Sequence, residues 1–157
     1  MIKYIKCDIF ESGADYILHQ VNCKGVMGSG VAKQVRDKYP KVYEEYRRWC
    51  NTMPKEHLLG SAQFVPTRDL YNTPFRGIVN VYGQYSYGYN GDCYTDYNAL
   101  RSALKTLYGF LQMLTPSTIA IPYMMSCCRG GGKWEIVHGI IEEVFKNTNI
   151  NVLICEL

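Results

Sequence analysis

The sequence predicts an α/β fold, a three-layer α/β/α sandwich with a central mixed, mostly parallel β-sheet. Short apolar segments of strand character alternate along the chain with longer segments of helical periodicity, as in a mostly parallel sheet covered on both faces. The chain has 157 residues, of which 47% are hydrophobic and 20% charged, so it can bury a core without disulfides. It contains neither an internal repeat nor a linker-like segment, and we therefore expect one domain over residues 1–157.

The elements of the first half follow from periodicity and from glycine and proline boundaries. A period of two or a short apolar run predicts a strand, and a period of 3.6 residues predicts a helix. In order, these signals predict strand Ile2–Lys6, strand Tyr16–Val21, a glycine-rich turn over 25–30, helix Val31–Tyr39 ending at Pro40, helix Val42–Cys50, strand Gly60–Val65 and strand Gly77–Tyr82.

The second half begins with a loop, Gln84–Asp92, that is rich in tyrosine and glycine. Thr95 or Asp96 can cap the long helix that follows, whose leucines fall on one face. The predicted elements are helix Ala99–Leu114, strand Thr118–Pro122, a glycine loop over 129–132, helix Trp134–Lys146 and strand Asn151–Cys155.

Composition excludes several classes of function. No apolar run approaches the roughly 18 residues of a membrane span and the N-terminus lacks a signal-peptide pattern, so we expect no membrane partner. A formal net charge of +3 is too small to argue for nucleic acid, which is not expected as a partner. The seven cysteines include no Cys-x-x-Cys pair, and no histidine is spaced from them as a zinc ligand would be. We therefore expect free thiols in a reducing cytoplasm and no metal.

One arrangement occurs twice: a predicted strand runs into a glycine loop, and a helix follows. The first loop is 22–30 and the second is 123–132. Glycines allow a ligand to approach backbone N–H groups, and a helix start adds donors and partial positive charge that suit an anion. Both loops would lie at the carboxyl ends of strands, so together they could hold a diphosphate. Neither matches a dinucleotide or P-loop signature, and no cofactor is expected.

Four segments, each weak alone, form a specific set. They are Cys7-Asp8-Ile9-Phe10, the run from His19 to Ala32, Asn80-Val81-Tyr82-Gly83-Gln84, and the run from Ile121 to Trp134. In this order they resemble the macrodomain family, the ADP-ribose-binding module, over nearly the whole chain. The first loop is similar to the ADP-ribose-1″-phosphate phosphatase branch, and the final stretch is similar to the terminal ADP-ribose glycohydrolase branch.

The resemblance implies a ligand site for ADP-ribose or a close derivative. Asp8 matches an aspartate that accepts a hydrogen bond from the adenine amino group, and Ile9 beside it would give a backbone contact. Asn22 matches an asparagine that hydrogen-bonds the distal ribose. A tyrosine ring from Tyr82, Tyr85 or Tyr87 could cover adenine or ribose, or could pack against its own helix. Backbone donors for the diphosphate would come from Gly28, Ser29, Gly30 and Val31 and from Ser126, Cys127, Cys128, Arg129, Gly130 and Gly131, and the Arg129 side chain could add a charge-assisted contact. Gly25, Val26 and Met27 of the first loop are also expected to contact the ligand.

The catalytic residues of the family are matched less completely in this chain than its ligand-binding residues. The glycohydrolase branch has a lysine where this chain has Gln84 and an aspartate where it has Gly130, which disfavours lysine-dependent removal of ADP-ribose. His19 matches a histidine of the phosphatase branch and is a natural acid–base group, although it lies in an apolar strand. Asn22 and Gln84 could orient a water or the 1″-phosphate, and Cys127 is a conceivable nucleophile.

The resulting hypothesis is a macrodomain that binds ADP-ribose and hydrolyses a distal-ribose substituent, either a 1″-phosphate or an acyl ester. The first alternative is a non-catalytic reader of ADP-ribose on a macromolecule or of a free nucleotide signal. The second is a single-stranded nucleic-acid binder, which would need a continuous basic groove that the scattered lysines do not suggest.

Overall fold

The computed structural model describes residues 1–114 and 117–157. The strands are β1 (Ile2–Lys6), β2 (Tyr16–Val21), β3 (Ala62–Pro66), β4 (Gly77–Tyr82), β5 (Thr118–Pro122) and β6 (Asn151–Glu156). The helices are α1 (Gly30–Lys38), α2 (Pro40–Thr52), α3 (Lys55–Leu58), α4 (Arg68–Tyr71), α5 (Tyr97–Leu111) and α6 (Trp134–Phe145), with a short 3₁₀ helix at Ile9–Glu11 after β1.

The described strands form one six-stranded sheet in the order β1-β6-β5-β2-β4-β3. Neighbouring strands are parallel except for β3 and β4, which are antiparallel, so the predicted mixed, mostly parallel sheet is confirmed. β2 pairs with β4 along its whole length, from Tyr16 to Val21, but its pairing with β5 ends after Ile17. The carboxyl halves of β2 and β5 therefore separate, and a cleft opens between the carboxyl ends of these two central strands.

Helices cover both faces of the sheet, as predicted, because successive residues of a strand point to opposite sides. On one face α5 and α6 pack against a buried cluster that includes Leu18, Val79, Leu104, Ile121, Ile140 and Ile154. On the other face α1 and α2 pack against a second cluster that includes Ile17, Val35, Val42, Tyr46 and Ile78.

The predicted elements are confirmed, with boundaries that differ by up to about three residues. Asp96 caps α5, because its carboxylate accepts a hydrogen bond from the backbone N–H of Ala99 at 3.0 Å. Pro40 begins α2 in addition to ending α1, since its fixed φ suits the first turn of a helix. The four-residue helices α3 and α4 were not predicted, because a single turn cannot display a 3.6-residue period.

All seven cysteines are free thiols, as predicted, and Cys23 and Cys155 are buried. Within the two described ranges, no helix combines the length and apolar character needed to cross a membrane.

Candidate functional site

A cleft of about 400 Å³ opens where β2 and β5 part. Three loop segments form its walls together with the ends of β2 and β5: the first glycine loop with the start of α1, the loop between β4 and α5, and the second glycine loop. In an open α/β sheet, ligands bind outside the carboxyl ends of the strands, and a cavity of this volume is typical of a small-molecule site.

The first loop is fixed from behind by Tyr46 of α2. The Tyr46 hydroxyl donates to Oδ1 of Asn22 at 2.7 Å and accepts from the backbone N–H groups of Gly25 and Val26 at 3.1 and 3.0 Å. Nδ2 of Asn22 donates to the carbonyl of Val26 at 2.8 Å, so this amide pins the loop. Asn22 also lines the cleft, and its role in binding the distal ribose stays a prediction.

These bonds divide the predicted ligand-binding residues of the first loop into two sets. The N–H groups of Gly25 and Val26 are already directed at Tyr46 and away from a ligand. Gly28, Ser29, Gly30 and Val31 line the cleft and lead into α1, whose first-turn N–H groups have no acceptor within the helix. The Met27 side chain is buried in the core.

The second loop has an unusual backbone. Met124 and Ser126 have φ values of +64° and +73°, a left-handed conformation that is strained for residues other than glycine. The Ser126 carbonyl accepts from the Gly132 N–H at 2.8 Å, which closes the loop on itself. A Cβ at Gly130 would lie 2.5 Å from the Thr95 hydroxyl, so only glycine fits there. Ser126, Cys128, Arg129 and Gly130 line the cleft.

Gln20 joins the second loop to the loop after β4. Its Nε2 donates to Oε1 of Gln84 at 2.8 Å and to the Thr95 hydroxyl at 3.0 Å, and its Oε1 accepts from the Ser126 hydroxyl at 2.5 Å. Gln84 also donates to the Ser86 carbonyl at 2.8 Å. Since a glutamine amide has two donor hydrogens and two acceptor lone pairs, Gln84 keeps one of each for a ligand or a water.

The tyrosines separate into a core set and a cleft set. Tyr82 is 0% exposed, stacks on Tyr46 and Trp49, and cannot contact a ligand, which corrects the expectation for this residue. Tyr85 lies outside the walls of the cleft, with the ammonium groups of Lys24 and Lys55 at 4.3 and 4.0 Å from its ring centre.

Tyr87 and Tyr89 instead line the cleft. The Tyr89 ring packs on the guanidinium of Arg129 at 4.4 Å from the ring centre. The Tyr89 hydroxyl also lies 3.8 Å from where a Cβ of Gly28 would be, so this side chain extends from Arg129 of the second glycine loop towards the first.

His19 lies at the cleft wall but is only 2% exposed. Its Nε2 is 2.6 Å from Oδ1 of Asn80. Burial lowers the pKa of His19 from 6.5 to about 4, against a smaller opposing effect of the hydrogen bond to Asn80. The imidazole is therefore neutral near pH 7.

Cys127 does not have the properties of a nucleophile. Burial raises the pKa of its thiol to about 11, with smaller contributions from Cys128 and Glu135, so the thiolate is scarce near neutral pH. Its Sγ donates to the Met125 carbonyl at 3.3 Å and lies outside the cleft walls, whereas Cys128 lines them.

Three further predicted residues lie away from the cleft walls. Asp8 follows β1 and its carboxylate accepts from the Phe10 N–H at 3.0 Å, so it caps the 3₁₀ helix. Ile9 beside it is buried. Gly131 has a φ of +69° and packs against Cys93. Their ligand-binding roles stay predictions.

Sequence reasoning missed the residues that support the site. Gln20, Thr95 and Tyr46 hold the loops in place, and Tyr89 and Tyr123 line the cleft. Alternation along β2 predicts that Gln20 points to the opposite face of the sheet from His19. The sequence gives no signal for its hydrogen-bond partners, because they lie 64 to 106 residues further along the chain. Nowhere in the described part of the chain are three metal-ligating side chains grouped to hold an ion.

The family model described as Macro domain matches residues 18–141, which include both glycine loops and the cleft between them. The chain belongs to the Macro domain family. The predicted resemblance to macrodomains is thereby confirmed.

This macrodomain is similar to curated proteins with three different names. An uncharacterized 17.5 kDa protein of Enterobacteria phage T4 is 31% identical over 90% of this chain and 88% of its own length. A DNA ADP-ribosyl glycohydrolase of Mycobacterium tuberculosis is 23% identical over 93% of this chain, which spans 39% of that protein's length. An ADP-ribose 1″-phosphate phosphatase of Debaryomyces hansenii is 35% identical over 43% of this chain and 42% of its own length.

Solved structures agree with the fold of this macrodomain. The macrodomain of Mycobacterium tuberculosis DarG has a TM-score of 0.83 at 23% identity, and the match covers 100% of this chain and 98% of that one. Thermosipho africanus DarTG, solved in complex with ADP-ribose, has a TM-score of 0.78 at 21% identity over 97% of this chain and 40% of that one.

Proposed function

We propose that this macrodomain binds ADP-ribose or a close derivative in the cleft and hydrolyses a substituent on the distal ribose, either a 1″-phosphate or an acyl ester. The observation that carries the proposal is the pair of glycine loops that face each other across a cavity of about 400 Å³. The name of the Debaryomyces hansenii relative supports the reaction, and the ADP-ribose complex of the Thermosipho africanus neighbour supports the ligand.

The cleft is suited to a diphosphate. Gly28–Val31 lead into α1, where backbone N–H groups and the positive end of the helix dipole favour an anion. Arg129 lies on the opposite wall, and its stacking on Tyr89 orients the guanidinium. A diphosphate held between these groups would meet backbone donors on one side and a charge-assisted hydrogen bond on the other.

The chemistry requires few side chains. Water adds to the phosphorus or acyl carbon, the bond to the ribose oxygen breaks, and that oxygen takes up a proton. Binding of the diphosphate and ribose would fix the scissile bond near the spare donor and acceptor of Gln84, and such positioning supplies a large part of the rate. Cys127 has no part in this proposal, because its pKa is raised to about 11 by burial.

One observation favours the alternative, a non-catalytic reader of ADP-ribose. Among the described residues that line the cleft there is no aspartate, glutamate or lysine. A general base would therefore have to come from neutral groups or from the ligand itself. A reader needs only the binding surface, which is complete without a carboxylate.

Isothermal calorimetry with ADP-ribose tests the binding. We expect 1:1 binding in the micromolar range, and no heat at millimolar ligand would refute the proposal. Gly28→Leu places a side chain in the cleft opposite Tyr89 and should abolish binding. Gly139→Leu is the matched control, because Gly139 is exposed on α6 and a Cβ there meets nothing within 4 Å.

A substrate panel then separates the enzyme from the reader. ADP-ribose-1″-phosphate, O-acetyl-ADP-ribose and ADP-ribosylated DNA are each incubated with the protein, and release of phosphate, acetate or ADP-ribose is followed by chromatography. Turnover of either of the first two supports the hydrolase. Release of ADP-ribose from DNA would instead place the chain with its mycobacterial relative. Binding without any turnover supports the reader.

A further inference from the structure

A row of buried polar side chains crosses β2, β4 and β3 beneath α2. His19 is in register with Asn80, and Asn80 with Gln63. Asn80 donates through Nδ2 to Oε1 of Gln63 at 3.1 Å, and Gln63 donates through Nε2 to the backbone carbonyl of Glu45 at 2.9 Å. We call the Glu45 carbonyl, Gln63 and Asn80 the amide chain.

The amide chain determines which nitrogen of His19 carries the proton. A backbone carbonyl can only accept, so Gln63 must present its NH₂ group to Glu45 and its oxygen to Asn80. The Tyr82 hydroxyl, which donates to the same Gln63 oxygen at 2.8 Å, agrees with this orientation. Asn80 must then present its NH₂ group to Gln63 and its oxygen to His19.

Because Oδ1 of Asn80 can only accept, Nε2 of His19, at 2.6 Å, must be the protonated nitrogen. In a neutral imidazole the other nitrogen, Nδ1, then carries a lone pair. Nδ1 is covered by neighbouring atoms and has no hydrogen-bond partner within the described part of the chain. A buried acceptor without a partner costs free energy, which a donor arriving from the cleft would recover.

We propose that the amide chain holds the proton of the His19 imidazole on Nε2, and that the unprotonated Nδ1 accepts a hydrogen bond from a hydroxyl of the bound ADP-ribose-type nucleotide or from a water that enters with it. His19 belongs to the cleft wall where β2 has separated from β5. Because Nδ1 is covered, the cleft wall must shift locally when the donor arrives.

This inference rests on the proposed function and gives His19 a narrower role than acid–base catalysis. A lone pair repels phosphate oxygens, so Nδ1 selects a hydroxyl or a water over the diphosphate. His19 therefore orients the ligand or the water and does not donate a proton from Nδ1. Asn80 and Gln63 act only through His19 and are positioning residues.

Nitrogen-15 NMR of the full chain near pH 7 tests the tautomer without ligand. The chain has three histidines, and the signals lost in His19→Gln identify those of His19. We expect His19 to show a proton on Nε2 and none on Nδ1. Protonation at Nδ1, or at both nitrogens, overturns the inference regardless of whether ADP-ribose binds.

Addition of ADP-ribose tests the ligand contact. We expect the Nδ1 resonance to shift on saturation, and an unchanged Nδ1 in a protein that calorimetry shows to be saturated overturns the contact. Failure of ADP-ribose to bind in calorimetry refutes the proposed function and the contact with it, while the tautomer is still read from the free protein.

Gln63→Met tests the amide chain itself. Without the Gln63 oxygen, the Asn80 amide can turn over and His19 should populate both tautomers, with ADP-ribose Kd rising by about tenfold. Gln112→Met makes the same substitution at an exposed position at the end of α5 and should change neither measurement. An unchanged His19 spectrum and an unchanged Kd in a folded Gln63→Met protein refute the role of the chain.

Discussion

Acidification should destabilise this macrodomain through His19 in particular. The pKa of His19 falls from 6.5 to about 4 on burial, so the unfolded chain binds a proton on this residue at a higher pH than the folded protein does. Above pH 6.5 both states are neutral and His19 has no effect on stability. Between 6.5 and about 4 the unfolded state gains the proton alone, and stability falls as the pH falls.

The magnitude follows from the two pKa values. The slope is about 1.4 kcal/mol for each pH unit, and the window from 6.5 to about 4 therefore amounts to about 3 kcal/mol. This is a large part of the roughly 5–15 kcal/mol that stabilises a typical domain. Acid unfolding of this chain should thus begin well above the pH at which carboxylates are protonated.

Urea unfolding measured by tryptophan fluorescence between about pH 7 and pH 4.5 tests this for the wild type and for His19→Gln. Glutamine can still donate to Asn80 but does not titrate, so the variant should lose less stability than the wild type, by about 2–3 kcal/mol over this range. His57→Gln removes an exposed imidazole and should retain the wild-type pH dependence. Parallel curves for the wild type and His19→Gln would refute the reasoning.

Three other outcomes follow from the geometry of the loops. Tyr46→Phe removes the hydroxyl that accepts from the amides of Gly25 and Val26, and should lower the free energy of unfolding in urea by about 1–3 kcal/mol. ADP-ribose should also bind more weakly in calorimetry. Unchanged binding would mean that the loop does not need this support. Gly131→Ala places a side chain at a residue with a φ of +69°, and its Cβ would lie 2.9 Å from the Cα of Cys93. Gly91→Ala is the control, because its φ is +83° but its Cβ would meet nothing within 4 Å. The midpoint of thermal unfolding should drop further for Gly131→Ala than for Gly91→Ala. In mass spectrometry near pH 7.5, Cys127 should be alkylated by iodoacetamide far more slowly than the exposed Cys128, because its pKa is raised to about 11; comparable rates would contradict that burial effect.

Periodicity together with glycine and proline boundaries was sufficient to predict the order of the helices and strands and a sheet covered by helices on both faces. These signals depend only on residues that are close in sequence. Strands such as Tyr16–Val21 and Gly77–Tyr82 were predicted to the residue, since a short apolar run between turns has few other solutions. The helices α3 and α4 have four residues each, too few for a period, and are fixed by tertiary packing.

The site was predicted less completely than the fold, for a different reason. Glycine loops signal themselves locally, and most of the predicted loop residues do line the cleft. The residues that hold those loops form bonds across 20 to 106 positions, such as Val26 to Tyr46 and Ser126 to Gln20. Tyr82 was misassigned for the same reason. Alternation along β4 shows on which face of the sheet its side chain lies, but only the tertiary structure shows that α2 covers that face and keeps the ring away from a ligand.

Two neighbouring residues of β2 point to opposite faces of the sheet and contact different parts of the molecule. Gln20 reaches the second loop through Ser126, and His19, one residue earlier, reaches the amide chain under α2. Every side chain in these contacts is uncharged near pH 7, so the loops are held without placing a fixed charge beside the ligand. The two negative charges of a diphosphate would then be met by backbone donors at the start of α1 and by Arg129. A macrodomain with a formal net charge of +3 can therefore bind an anionic nucleotide without a basic groove. Because the described residues of the cleft walls include no lysine and no carboxylate, this cleft differs from one built around such a pair.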